Sequence, residues 1–277
     1  MAEFSGHLSL VAAAREPDAR TVLRAQSFRA PFHLSKPYWD PDASVLLVQV
    51  VNPTAGILAG DRLTSEIRVD PGAALLVTTP SASRVFHMRD AHAEARQQFS
   101  VAAAGWLEVM PEPLVPHRGC RFRQQTTVEV APGGSLFFVE TILPGRIGHG
   151  ETWAWERLQL ELTVRLGSEL ILRERFDQTG ASLRGLADLA GSGSETCFAN
   201  AILIVPDGDA AESPSWRAEL NALPHAGLWL GVSALRHGGW SLKIVANGTV
   251  QLRQTLRDVR EILARHYPRL RCDPRKL

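Results

Sequence analysis

The chain has 277 residues, 45% of them hydrophobic and 21% charged, which suffices for a sizeable buried core. Its 30 Lys and Arg against 29 Asp and Glu leave a formal charge of +1, so a general nucleic-acid binder is not expected. The cysteines Cys120, Cys197 and Cys272 form no CxxC pair, which removes a zinc knuckle or a disulfide framework from consideration. The opening MAEFSGHLSLVAAAREPD carries no basic leader, and no run of about 18 apolar residues occurs. A reduced, soluble, cytoplasmic protein is the expectation, with no membrane and no nucleic acid among its partners.

In chain order, the apolar run SVLLVQVV (44–51) reads as a strand and leads into the glycine-rich NPTAGILAGD (52–61). RLTSEIRV (62–69) and RFRQQTTVEV (121–130) alternate loosely between apolar and polar residues. RLQLELTVRL (157–166) does so strictly, with Leu158, Leu160, Leu162, Val164 and Leu166 on one face. VDPGAALLVTT (69–79), VAPGGSLFFVET (130–141) and VRLGSELILRE (164–174) share one plan: a polar-faced strand, a glycine turn (Gly72, Gly133, Gly167), then a more apolar strand. Strand pairs stacked on one another follow. The expected fold is mainly β: a large, layered, mostly antiparallel sheet structure with β-helix-like stacking, one domain across 1–277.

About two helices are expected, both late. SPSWRAELNAL (213–223) offers Ser213 as N-cap and Pro214 in the first turn. TVQLRQTLRDVREILARHY (249–267) places Leu252, Leu256, Val259 and Leu263 on one face and ends at Pro268. LADLAGSGSE (186–195) reads as a loop, and the basic tail RLRCDPRKL as frayed.

The glycine turn at 52–61 is not a phosphate cradle. Gly56 and Gly60 have the wrong spacing for GxxxxGK[ST], and Asp61 stands where a cation is needed. Either Asp61 closes a wide turn by binding nearby amides, or it presents a carboxylate to a partner or a hard cation.

NPTAGILAGDRL followed by PGAALLVTTPSASRVF (71–86) resembles the UreD (UreH) family of urease accessory proteins. SKPYWD (35–40), WLEVMPEPLVPHRGCRF (106–122) and ILPGRIGHGETWAWERL (142–158) are similar to further family blocks in the same order. Pro80, Arg84 and the MPEP segment depart from the usual family residues; Arg in place of Lys at 84 keeps the charge but changes donor geometry. The resemblance implies a large layered β fold with two helices and a non-catalytic scaffold. It also implies partners: a UreF-like protein, a UreG-like GTPase and apo-urease, with Ni²⁺ delivered to urease on GTP hydrolysis.

A protein that passes Ni²⁺ onward needs weak ligands or a polar passage, because a closed His/Cys cage would trap the ion. No tightly bound cofactor is expected, only Ni²⁺ in transit. The candidate ligands are Asp61, Glu140, and the pair His149 and Glu151 in GHGE, which share a face if extended. FHMRDAHAEA (86–95) adds His87 and His92, read as a solvated loop. Arg146 in the PGR turn could aim a guanidinium at a partner carboxylate. Trp153 and Trp155 either fill the core or anchor a partner, and Arg84 is a further partner candidate. Two other classes stay open: a hydrolase using two of Asp61, Glu108, Glu140 and Glu151, and a metal-independent interaction module.

Overall fold

The computed structural model describes residues 5–16, 18–189, 195–206, 214–223 and 226–275. In chain order the first strands are β1 (Ser5–Arg15), β2 (Arg20–Arg29), β3 (His33–Leu34), β4 (Tyr38–Asp40), β5 (Val45–Val51) and β6 (Arg62–Val69). Next come β7 (Ala74–Thr78), β8 (Ser83–Val85), β9 (Ala93–Val101), β10 (Trp106–Met110), β11 (Leu114–Pro116), β12 (Arg121–Val130) and β13 (Ser135–Ile142). The short pair β14 (Gly145–Arg146) and β15 (Glu151–Thr152) precedes β16 (Arg157–Leu166) and β17 (Glu169–Gln178). Helix α1 (Gly180–Leu189), β18 (Thr196–Ile204), α2 (Ser215–Asn221), β19 (Leu228–Ala234), β20 (Trp240–Asn247) and α3 (Thr249–Ala264) complete the order.

Two large sheets carry the fold. The first has the order β17-β16-β12-β9-β6-β1-β2, the second β19-β20-β18-β13-β10-β7-β5-β3. The chain winds between them: β6 to β7, β9 to β10 and β12 to β13 each cross from first sheet to second through a four-residue turn. Successive strands therefore leave the same end, and neighbours run parallel. Antiparallel pairing falls on the flanks, at β1/β2 and β16/β17 in the first sheet and, in the second, at β3/β5 and β4/β5 on one side and from β13 through β18 and β20 to β19 on the other; the small β14/β15 pair is antiparallel too.

The sheets are thus mixed, not mostly antiparallel as the sequence suggested. The stacking expectation holds for the turns at Gly72 and Gly133. The third supposed copy, at Gly167, is instead a hairpin within one sheet. A turn at Ala102–Gly105 completes the true series, and Ala104 takes the left-handed φ of 58° that Gly72 (73°) and Gly133 (80°) take in its neighbours.

Burial follows the same plan. The inner face of the first sheet (Leu10, Ile67, Phe99, Val128, Leu162) packs on the second sheet (Val48, Leu75, Leu107, Phe138, Ile202). The first sheet's other face is wet, so β6 and β16 alternate with period 2. The second sheet is covered again on its far side by α2 and α3 through Trp216, Leu220, Leu252, Leu256, Val259 and Leu263. Burial on both faces explains why β5, β7 and β13 read as nearly unbroken apolar runs.

Three α-helices are present among the described residues, where about two were expected. Helix α1 overlaps the expected loop at 186–195, whose residues 190–194 lie outside the described residues, as does Ser213. The Thr179 hydroxyl accepts the Ser182 N–H at 3.1 Å and caps α1. Gly180 is required there, because a Cβ would sit 2.2 Å from the Trp153 carbonyl oxygen. Pro214 is the N-cap of α2, not a first-turn residue. The tail is not frayed through residue 275: Pro268–Arg271 forms a 3-10 turn, and Leu270 and Cys272 are buried.

Candidate functional site

The inner face of the first sheet is interrupted by a polar row. Strand register places Ser65 beside Gln97 and Gln97 beside Thr126, and carries the row on through Leu162 to Glu174 at the sheet edge. Facing it on the second sheet, register aligns Glu140 with Asn200 and Asn200 with Lys243. The Thr126 hydroxyl donates to Gln97 Oε1 at 3.1 Å, and Gln124 Nε2 donates to Glu140 Oε1 at 2.6 Å. At the edge, Asn200 Nδ2 donates to Glu174 Oε2 at 2.6 Å, and Lys243 Nζ donates to Glu174 and, at 2.8 Å, to Asn200 Oδ1.

Two adjoining cavities follow this row, and a third adjoins the first of them away from it. The central one, about 200 Å³, lies between the sheets and is lined by Ser65, Gln97, Gln124, Glu140 and Arg84 among others. Through Glu140, Ile142 and Leu160 it adjoins a cavity of about 410 Å³ beside Glu174, Asn200 and Lys243. Through Thr78–Ala82, Pro111, Glu112 and Thr141 it adjoins a groove of about 950 Å³ along α3. Burial, and then the charge of Glu174, push the Glu140 carboxyl up to about 7, against the opposing pull of Lys243 and the Gln124 hydrogen bond. A carboxyl titrating there can exchange a proton for a cation near neutrality, and its oxygen is a hard ligand of the kind that releases what it holds.

Asp61 lies at the end of the strands opposite the four-residue turns, where the long loops gather. Its Oδ2 accepts the Leu58 N–H at 2.8 Å, and its carbonyl accepts the Glu94 N–H at 2.8 Å. The side chain is 8% exposed, and burial raises its carboxyl while the Leu58 N–H lowers it. Of the two readings of Asp61, the turn-closing one describes its contacts. Gly56 serves the same turn: a Cβ there would meet the Arg84 carbonyl oxygen at 2.4 Å, and Ile57 bridges to Val85.

The GHGE segment does not hold its carboxylate free. Arg146 binds Glu151 through both guanidinium arms, at 2.6 and 3.0 Å, and holds the carboxyl below its ordinary range. His149 is exposed in the intervening 3-10 turn. Arg146, expected to reach for a partner, is engaged within its own hairpin. Trp153 and Trp155 are buried, with centroids 5.4 Å apart, so they fill the core and present no exposed anchor. Arg84 is exposed on β8, where its carbonyl accepts the Ile57 N–H at 2.8 Å.

His92 pairs with Glu94 at 2.9 Å. Among the described residues, no three His, Cys, Asp or Glu side chains come together so as to hold a metal ion. The hydrolase constellation does not form around Glu108 and Glu140. Glu108 is fully buried and paired with Arg260 beneath α3, whereas Glu140 faces between the sheets.

Sequence reasoning missed Gln97, Gln124, Glu174, Asn200 and Lys243. A signal was present: in RFRQQTTVEV the buried Phe122, Val128 and Val130 fix the inner face, and Gln124 and Thr126 fall on that same face.

The fold is thus a stacked β scaffold with a polar row and adjoining cavities between its sheets. A family model described as UreD urease accessory protein matches residues 5–276. The chain is 61% identical over 275 residues, 99% of its length, to the full length of the urease accessory protein UreD of Opitutus terrae. It is 38% identical over 147 residues to the UreD of Yersinia enterocolitica, covering 52% of this chain and 45% of that protein. With the urease accessory protein UreD 3 of Methylorubrum populi it shares 35% over 188 residues, 63% of this chain and 57% of that protein. The chain belongs to the UreD family of urease accessory proteins and is not itself a catalyst. No helix among the described residues is long and apolar enough to cross a membrane.

Proposed function

We propose that the chain is a cytoplasmic scaffold that binds apo-urease together with UreF-like and UreG-like partners and lets Ni²⁺ reach the urease active site when GTP is hydrolysed. Nickel is cargo here, held by no resident site and passed along the interior between the sheets. The observation that carries this reading is the pair of adjoining cavities that meet at Glu140. Oxygen and amide donors are weak ligands for Ni²⁺, a borderline cation that prefers imidazole, and so let it leave again. Asp61, His149 and Glu151 are accordingly assigned to the loop end and not to the path.

The test is reconstitution of apo-urease with its accessory proteins, Ni²⁺ and GTP. Glu140→Gln removes the titrating oxygen, and Ala95→Leu narrows the central cavity that Ala95 lines. Both variants should assemble the complex normally and activate urease severalfold less. Full activation by both would refute passage through this chain.

A further inference from the structure

Each large sheet ends in strands whose outer backbone has no neighbour among the described residues, and such edges invite pairing with another chain. Charge guards two of them: β2 carries Arg20, Arg24 and Arg29, and β17 (ELILRERFDQ) carries five charged residues. The edge strand β3 is only two residues long. The remaining edge, β19 (LWLGVSA), has seven residues with no charge and no proline. It pairs with β20 on one side and with no described strand on the other. Alternation presents Trp229, Gly231 and Ser233 to solvent, and Trp229 is 45% exposed.

We propose that β19 pairs antiparallel with β19 of a second copy of this chain, about a two-fold axis through Gly231. The strand's own pattern selects that occupant. A two-fold axis perpendicular to the sheet keeps residues of one face opposite residues of the same face, so one residue must meet itself. With Gly231 at the axis, Trp229 lies opposite the second copy's Ser233, Leu228 opposite its Ala234 and Leu230 opposite its Val232. Each pair sets a larger side chain against a smaller one, and no charge is present to repel its mate. Gly231 supports the same axis. Glycine inside a strand weakens it and often marks the close approach of another backbone. Nothing among the described residues requires it: a Cβ at 231 would meet no atom within 4 Å, and its φ is not positive.

Pairing of this kind uses up the edge, so the product is a closed dimer and not a growing fibre. It joins the second sheets of both copies into one, with α2 and α3 of each on the same face. Seven residues a side give an interface smaller than the roughly 1,200 Å² at which stable complexes begin, so the dimer is reversible, with a Kd on the order of 10 µM. None of this depends on the passage between the sheets.

Sedimentation velocity of the purified full chain from about 1 to about 100 µM reads the dimer directly. The wild type is expected to pass from monomer to dimer across that range. W229E/S233E sets like charges opposite each other on both sides of the axis, and so does W229K/S233K. Each should weaken dimerisation at least about tenfold with the melting temperature unchanged. Mixing the two variants places Glu opposite Lys at both positions and should restore a dimer holding one copy of each. A wild type that stays monomeric at the highest concentration would overturn the proposal. So would a dimer that either double variant preserves, a mixture of the two that stays monomeric, or open-ended aggregation in place of a dimer. A photo-crosslinking residue at position 233 that captures a different protein in cells, and never position 229 of a second copy, would assign the edge to another occupant and overturn it too.

Discussion

Replacing Glu140 by Gln should stabilise the protein, and only above mildly acidic pH. Glu140 sits between the sheets, and its carboxyl is raised from 4.5 to about 7 by burial first and by Glu174 second. The folded state therefore keeps a proton that the unfolded chain releases. The contribution of this group is greatest below about pH 4.5, falls as pH rises toward 7, and is level above that. One pKa unit corresponds to about 1.4 kcal/mol, so this group costs the wild type at most about 3.5 kcal/mol across the window. Gln at 140 cannot ionise, and its Oε1 can still accept the Gln124 amide that Glu140 accepts at 2.6 Å. Urea denaturation of both proteins at pH 4, 5, 6, 7 and 8 should give stabilities that lie closest at pH 4 and separate by up to about 3.5 kcal/mol at pH 8, with the variant more stable. Glu174→Gln should recover a smaller part of that difference, since it removes only the secondary cause. Parallel pH profiles for wild type and Glu140→Gln would refute the argument that an ionising carboxyl sits in this interior.

The remaining expectations are structural. Asp61→Ala loses the acceptor of the Leu58 N–H and should cost about 1–2 kcal/mol, whereas Asp61→Asn keeps an acceptor and should cost less; denaturant midpoints distinguish them. Arg260→Ala leaves the fully buried Glu108 without its two-armed partner and should cost about 3–5 kcal/mol, while the double variant E108L/R260M should regain most of that loss in the same measurement. Burial pushes the thiols of Cys120 and Cys272 up to about 12 and that of Cys197 up to about 11, so none should react with iodoacetamide at pH 8 until the protein is unfolded; mass spectrometry of the native protein reads this directly.

The strands were legible in the sequence wherever one face meets water. The limits of β6, β12 and β16 match the alternating stretches read from the sequence, and the buried face of α3 matches its 4, 3, 4 spacing. Strand direction was not legible, because a half-buried strand alternates in the same way whether its neighbour runs parallel or antiparallel. What decides direction is whether a glycine turn closes a hairpin or crosses to another sheet. Gly133 and Gly167 look alike in sequence and do different things. Helix α1 was hidden by Gly180 and Gly185, the first of which a close backbone contact with Trp153 demands. The site was harder still. Asp61, Arg146 and Glu151 attracted notice as polar residues in motifs, yet each is bonded within its own turn or hairpin. Glu140 was noticed, but its neighbours Gln124, Asn200 and Lys243 come together only through register across two sheets.

The turns that carry the chain from sheet to sheet also bind one another. The Ala102 N–H reaches the Val69 carbonyl, Ala131 reaches Val101, Trp106 reaches Ala73, Ser135 reaches Gly105, and Ala104 reaches Gly133. Each turn is thus a step in a hydrogen-bonded staircase whose tread length is set by its neighbours. One added residue in any step would shift the strand after it by one position and turn that strand's core side chains toward the wrong face. The loops at the other end bind one another too: the Ile57 N–H reaches the Arg84 carbonyl, Phe86 reaches Ile57, Ser83 reaches Pro113 and His117 reaches Val85. The molecule is thus laddered at both ends, and what differs is slack: each staircase step has four residues and none to spare, whereas 52–61, 79–92 and 111–120 are longer segments, so a tolerated insertion should fall between their bonded positions and never in the staircase.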